Sequence, residues 1–412
     1  MAGAGDWVLG AVSSIALSPT GTSSFPDGGG HWWVYLQYAL GLRDLGFRVV
    51  WVERCSETSH LDRARQILRR FGFADDDVLL YEEVGDRSSG GEDRVKWLTA
   101  GRRAAERSIA SCEALLNFDY DAPASVVATA RRSALVDIDP GLMQTWWAKG
   151  EISPPPHDRW FTTGETVGTT AARFPDCGVD WIRIRPCVHL PSWPVVPGPG
   201  NDRFTTVTSW WGTEWLALGD GAVLDNNKRA AFLAYVELPK HTDAQLELTA
   251  YFGDTSDLTA GDVDDDVNPS TVGDDADDVA ALLANGWSLR RSRTVAADPH
   301  RYRHYIQRSS GEFSCVKPSC RLFANAWVSD RTLCYLASGR PVVTEHTGAS
   351  DVLDGGMGLV RFASIAEAAE GLRRVRADYE EHRRAARQLA EEHFSATATV
   401  TRIVDTLTSD ER

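Results

Sequence analysis

The sequence predicts an α/β protein made of two doubly wound parallel sheets, on three observations. Strand-like and helix-like segments alternate through the first half, a proline-rich break interrupts them near residue 190, and the alternation then begins again. In the first half WVLGAVSSIAL reads as a strand and HWWVYLQYALGLRDLG as a helix. FRVVWVE is a second strand, LDRARQILRRFG a second helix, and EALLNF and SALVDI are short buried strands closed by DYDAP and DPG. Within the first helix Tyr38, Leu42 and Leu45 form one apolar stripe and Trp33, Leu36 and Leu40 a neighbouring one, so most of its circumference is buried.

The break is HLPSWPVVPGPGND, where Pro191, Pro194, Pro197 and Pro199 stand with two glycines, too many for a core element. It divides the chain into residues 1–195 and 196–412, two Rossmann-like halves. FTTVTSW restarts a strand immediately after it. AQLELTAYF and EFSCV follow, then RTLCYLASG as a helix, PVVTE as a strand, and the amphipathic closing helices SIAEAAEGLRRV and DYEEHRRAARQLAEEHF.

At 412 residues, 43% hydrophobic and 25% charged, the chain has the composition of a globular protein with room for two cores. Its net charge of −15 makes nucleic acid a poor partner, because a phosphate backbone demands a basic footprint. Seven scattered cysteines without a CxxC or zinc spacing read as free thiols. WVLGAVSSIAL lacks a basic flank for export, and no apolar run has membrane-spanning length, so a cytoplasmic protein is expected. The oligomeric state is left open.

Residues 241–289 contain no Lys or Arg, and an acidic insertion is assigned to about 253–278. Asp262, Asp264 and Asp266 alternate as in a calcium loop, but Val267 occupies the glycine position and Gly273 the closing glutamate position. A solvated acidic insertion is the expectation, with no metal site.

Two constellations carry chemistry. Gly28, Gly29 and Gly30 precede His31 at a strand-to-helix junction, where glycine lets backbone N–H groups approach a ligand at a helix N-terminus. The spacing is not that of a dinucleotide fingerprint. In AWVSDRTLCYLASGRPVVTEHTG, Ser329, Asp330 and Arg331 open a helix closed by Gly339, and the following strand ends at Thr347-Gly348. Ser or Asp caps such a helix, and its N–H groups with Arg331 suit a diphosphate.

These blocks resemble nucleotide-sugar glycosyltransferases of the GT-B fold. DGGGHWWVYLQYALGLRDLGF, VDIDPGLMQ, FTTGETVG, GEFSCVK and VSDRTLCYLASGRPVV together look like a family of largely uncharacterised bacterial glycosyltransferases. The resemblance implies two Rossmann-like domains facing each other across a cleft. A nucleotide-diphosphate sugar would be held mainly by the second half as donor substrate, with no separate cofactor and no metal. A small-molecule, natural-product-like acceptor would lie on the first half. It further implies His31 as general base of an inverting transfer, steadied by Asp119, with Asp121 and Asp139 as competitors. Gly29, Gly30, Ser329, Asp330, Arg331, Lys228, Lys317, Glu345, Thr347 and Gly348 become candidate donor contacts, Glu345 with His346 near the sugar. The paired glutamates of retaining relatives are absent, since Ala326 and Cys334 stand at those positions. Fifteen tryptophans, among them Trp32-Trp33, Trp146-Trp147 and Trp210-Trp211, suit a ring-bearing acceptor as well as a core. A nucleotide-sugar 2-epimerase on the same fold and a catalytically silent sugar-nucleotide-binding partner protein are the alternatives.

Overall fold

A computed structural model describes residues 13–84, 95–212, 215–217, 223–252, 267–353 and 355–409. The first half builds one sheet from β1 (Ser14–Ser18), β2 (Arg48–Arg54), β3 (Val78–Glu83), β4 (Val95–Trp97), β5 (Ala114–Asn117), β6 (Ser133–Asp137), β7 (Arg159–Thr162) and β8 (Trp181–Arg183). Its order is β4-β3-β2-β1-β5-β6-β7-β8, parallel except for the antiparallel pair β3–β4. The second half contributes β9 (Arg203–Thr208), a small antiparallel pair β10 (Trp215–Ala217) and β11 (Val223–Asp225), then β12 (Gln245–Ala250), β13 (Ser288–Arg291), β14 (Gly311–Ser314), β15 (Val342–Glu345) and β16 (Leu359–Phe362). Six of these form a wholly parallel sheet ordered β13-β12-β9-β14-β15-β16. In both sheets the chain order reverses beside the first strand, at β1/β5 and β9/β14. Ligands of such sheets bind beyond the carboxyl ends of the strands at that switch point.

The first helix, α1 (Gly29–Asp44), buries ten of its sixteen residues, as its two apolar stripes require. It lies between the halves. Trp33 donates from Nε1 to the Pro299 carbonyl at 2.8 Å and packs its ring on Trp193. A final helix, Ala396–Thr408, was not foreseen from the sequence and returns to the first half. Val188 donates to the Phe394 carbonyl at 2.7 Å, and a Cβ on Gly41 of α1 would meet Ala396 at 3.1 Å.

The acidic stretch requires a correction. Residues 253–266 lie outside the described residues, but between Val267 and Asp278 buried positions recur among exposed ones, so this part is anchored to the core and not wholly solvated. Val267 and Val272 are buried, the Arg229 guanidinium holds both oxygens of Asp278, and Trp211 Nε1 donates to Asp275 at 2.7 Å. Each aspartate goes inside because a donor waits for it there. All seven cysteines are unpaired and six are buried. Among the described residues no helix is long and apolar enough to cross a membrane, and no cluster of His, Cys, Asp or Glu is placed to hold a metal ion.

Candidate active site

The carboxyl ends of the two sheets face a cavity of about 810 Å³ between the halves. Gly29, Gly30 and His31 line it from α1, and Ser329, Asp330 and Arg331 from the helix Asp330–Ala337. Neither helix has a side-chain cap at its N-terminus: Gly28 has no side chain to offer, and the Ser329 hydroxyl caps nothing, contrary to the expectation. The first-turn N–H groups of both helices therefore retain donor capacity beside the cavity, the arrangement that favours an anion.

The glycines serve a purpose the sequence did not disclose. A Cβ on Gly29 would stand 2.3 Å from the Asp298 carbonyl oxygen, and one on Gly30 would stand 2.7 Å from the Tyr302 ring. They let the start of α1 press directly on the second half. Their place in the cavity wall comes as a consequence of that contact.

His31 Nε2 lies 2.7 Å from the Thr20 carbonyl oxygen, which can only accept, so Nε2 carries the proton and Nδ1 the lone pair. Burial lowers the imidazole pKa and keeps the ring neutral. Asp119 is not the partner on its far nitrogen. Its carboxylate is bound by Arg54 Nη2 at 3.0 and 3.2 Å, and Arg54 also reaches Glu83. β2 and β5 flank β1 and bring these charges together, whereas the family resemblance had matched Asp119 to His31. Asp121 lies 4.0 Å from the same arginine, and Asp139 accepts from Tyr120 at 3.4 Å.

Arg331 is anchored from below: Nε donates to Glu312 at 2.7 Å, Nη1 to the Val207 carbonyl at 2.8 Å, and Nη2 to the Ser314 hydroxyl. Three of its five N–H groups are thereby used. Glu312 was missed, although a glutamate inside the apolar strand EFSCV was the signal for a buried ion pair. Beside Arg331 a narrow crevice is lined by Lys228, Ser329, Thr332, Glu345, Thr347 and Arg361. Lys228 is buried and donates to the Cys315 carbonyl at 2.7 Å; burial first, and then Arg331, pull its pKa down to about 8. Asp330 is pushed up to about 7, mainly by burial and next by Asp139 across the cleft.

Other candidates are occupied structurally. Glu345 accepts from Tyr235, Arg321 and the Val316 N–H, which engages both of its oxygens. The Thr347 hydroxyl donates to the Trp327 carbonyl at 2.8 Å. Gly348 adopts φ +114° with the Ala324 backbone where a Cβ would be, and His346 Nδ1 accepts its N–H. Lys317 precedes the helix Pro318–Phe323 and reaches neither cavity wall, though its charge is felt at Lys228. In the aromatic lip of the cavity Phe25, Trp211 and Tyr251 come from loops, invisible to periodicity, while Tyr302 stands on the helix Pro299–Arg308.

No protein-family model matches the chain, and no curated protein matches it. Solved structures do. HepE from Anabaena, in complex with UDP and glucose, superposes with a TM-score of 0.59 at 11% identity over 97% of this chain and 100% of that one. Sucrose-phosphate synthase from Thermosynechococcus elongatus gives 0.53 at 11% identity, covering 96% and 98%. AviGT4, a glycosyltransferase involved in avilamycin A biosynthesis, gives 0.51 at 13% identity, covering 96% and 97%. The chain has the two-domain GT-B fold of these glycosyltransferases.

Proposed function

We propose that this protein is a glycosyltransferase that moves a sugar from a nucleotide-diphosphate donor to the hydroxyl of a small-molecule acceptor, with inversion. The observation that carries the reading is the interdomain cavity flanked by two uncapped helix N-termini, with Lys228 and Arg331 beneath the second. The diphosphate would lie against the N-terminus of the helix Asp330–Ala337, where N–H groups, Arg331 and Lys228 offset the charge that develops as it leaves. That set supports departure without a metal ion. The acceptor would rest on the wall contributed by α1, Phe25 and Trp211.

His31 takes the acceptor proton at Nδ1. The Thr20 carbonyl fixes the tautomer, the part first given to Asp119, and a neutral ring is the form that can accept. Removal of the proton as the oxygen attacks opposite the diphosphate inverts the anomeric centre. His31→Ala lowers turnover by ~10²–10⁴-fold while donor affinity stays within a small factor. The test uses UDP-glucose as donor probe and an acceptor panel, with NMR of the first-formed glycoside. An anomeric centre matching the donor's sinks the His31 mechanism, and donor consumed without any acceptor identifies the 2-epimerase instead.

A further inference from the structure

A second cavity, of about 350 Å³, lies on the far side of the helix Pro299–Arg308 from the cleft. That helix has two faces. Tyr302 and Ile306 are buried, and Tyr302 reaches the cleft beside Arg331. Arg301, His304, Tyr305 and Arg308, at i, i+3, i+4 and i+7, form the other face and line the second cavity together with Arg290 of β13.

Among the described residues the floor is one carboxylate, Glu247, only 3% exposed. It is already served: Arg203 Nη1 donates to it at 2.6 Å and the Tyr305 hydroxyl at 2.5 Å, and Arg290 Nε lies 3.4 Å away. Arg301 has Asp298 at 3.8 Å along its own helix, and Arg308 has the His304 ring at 3.5 Å. Three guanidiniums thus line a cavity whose one acidic wall residue, among the described residues, is shared between one of them, Arg290, and Arg203 behind it. In a chain of net charge −15 such a cluster does not follow from composition, and its self-repulsion falls when an anion enters.

We infer that this cavity is a second binding site, for a small molecule that carries phosphate groups. The volume is that of an ordinary small-ligand site, and the guanidinium fork matches phosphate oxygens two at a time. Concavity favours a compact ligand over a polymer, which would need a continuous basic surface.

The test is calorimetric titration of inorganic pyrophosphate into the wild type, into the double variant Arg301→Gln with Arg308→Gln, and into Lys228→Met. Both arginines are exposed, so the double variant keeps its fold, checked by an unchanged melting midpoint. A pyrophosphate-binding event that weakens about tenfold or more in the double variant, yet persists in Lys228→Met, supports the site. Wild-type-like binding by the double variant overturns it. A short DNA duplex that binds more tightly than pyrophosphate and is lost in the same variant overturns the small-molecule assignment.

Discussion

Arg331 and Lys228 look interchangeable in the sequence and differ sharply in the fold. Arg331 is tied to Glu312, whose side chain is wholly buried, so Arg331→Ala leaves a carboxylate stranded and lowers stability by about 3–5 kcal/mol. Its effect on donor binding is then inseparable from its effect on the fold. Lys228→Met is the cleaner probe, because the stem is kept and only one hydrogen bond, to the Cys315 carbonyl, is lost. It weakens UDP-glucose binding by about 1.5–3 kcal/mol in calorimetry, the range for a charged hydrogen bond; wild-type affinity would place the diphosphate elsewhere. Asp330 gives a pH signature at the same spot. Its folded pKa, about 7, is raised above the ordinary carboxylate value, so the folded state holds an extra proton between those limits. Stability from this group is therefore present at low pH and fades as pH rises toward 7. His157, lowered to about 4 by burial, acts with the opposite sign below its ordinary pKa, so the informative quantity is the variant minus the wild type. Relative to wild type, Asp330→Asn gains stability as pH rises from 5 to 8. The same ionisation opposes a diphosphate. UDP-glucose affinity therefore falls more steeply between pH 6 and 8 in the wild type than in Asp330→Asn, where only Lys228 still loses its charge near 8, and an identical fall in both would clear Asp330.

At the scale of elements, α1 shows what a sequence can and cannot say. Its two apolar stripes announced a buried helix, and the alternation of strands and helices announced both parallel sheets. The three glycines announced only a special backbone. What Gly29 and Gly30 touch, the Ala296–Tyr302 segment, is some 270 residues away, and no local pattern encodes a contact at that range. Gly29→Ala puts a methyl against backbone that cannot swing aside and costs about 1–3 kcal/mol or more by overpacking. Gly101→Ala, with open space around its Cβ, is the control, and equal melting midpoints for the two variants would refute the contact. The stretch Val267–Asp278 teaches the converse. Its acidity was read as solvation because charge is visible in a sequence and Arg229, Trp210 and Trp211, which receive it, are distant. The site was half legible for the same reason: helix starts such as Ser329–Arg331 are written locally, while Glu312 beneath Arg331 and Thr20 against His31 are pairings made by topology.

For the molecule as a whole, the largest hydrophobic cluster does not respect the division into halves. It runs from Ile15 and Val49 of the first sheet through Trp33 and Leu36 of α1. From there it continues to Ala296, Tyr302 and Leu333, and on to Val342 and Leu359 of the second sheet. Val400, Ile403, Val404 and Leu407 of the final helix close it against α1, though they follow the second half in the chain. Two domains joined by a small polar contact unfold in separate steps, whereas a shared apolar core couples them. Calorimetry should accordingly show one transition. Ile403 is fully buried, so Ile403→Ala removes about 2–5 kcal/mol and moves that transition down as a unit. Were the halves independent, the variant would shift a first-half transition and leave a second one in place. Two resolved peaks, only one of them sensitive to Ile403, would show that the core on which α1 and the cavity both rest is divided.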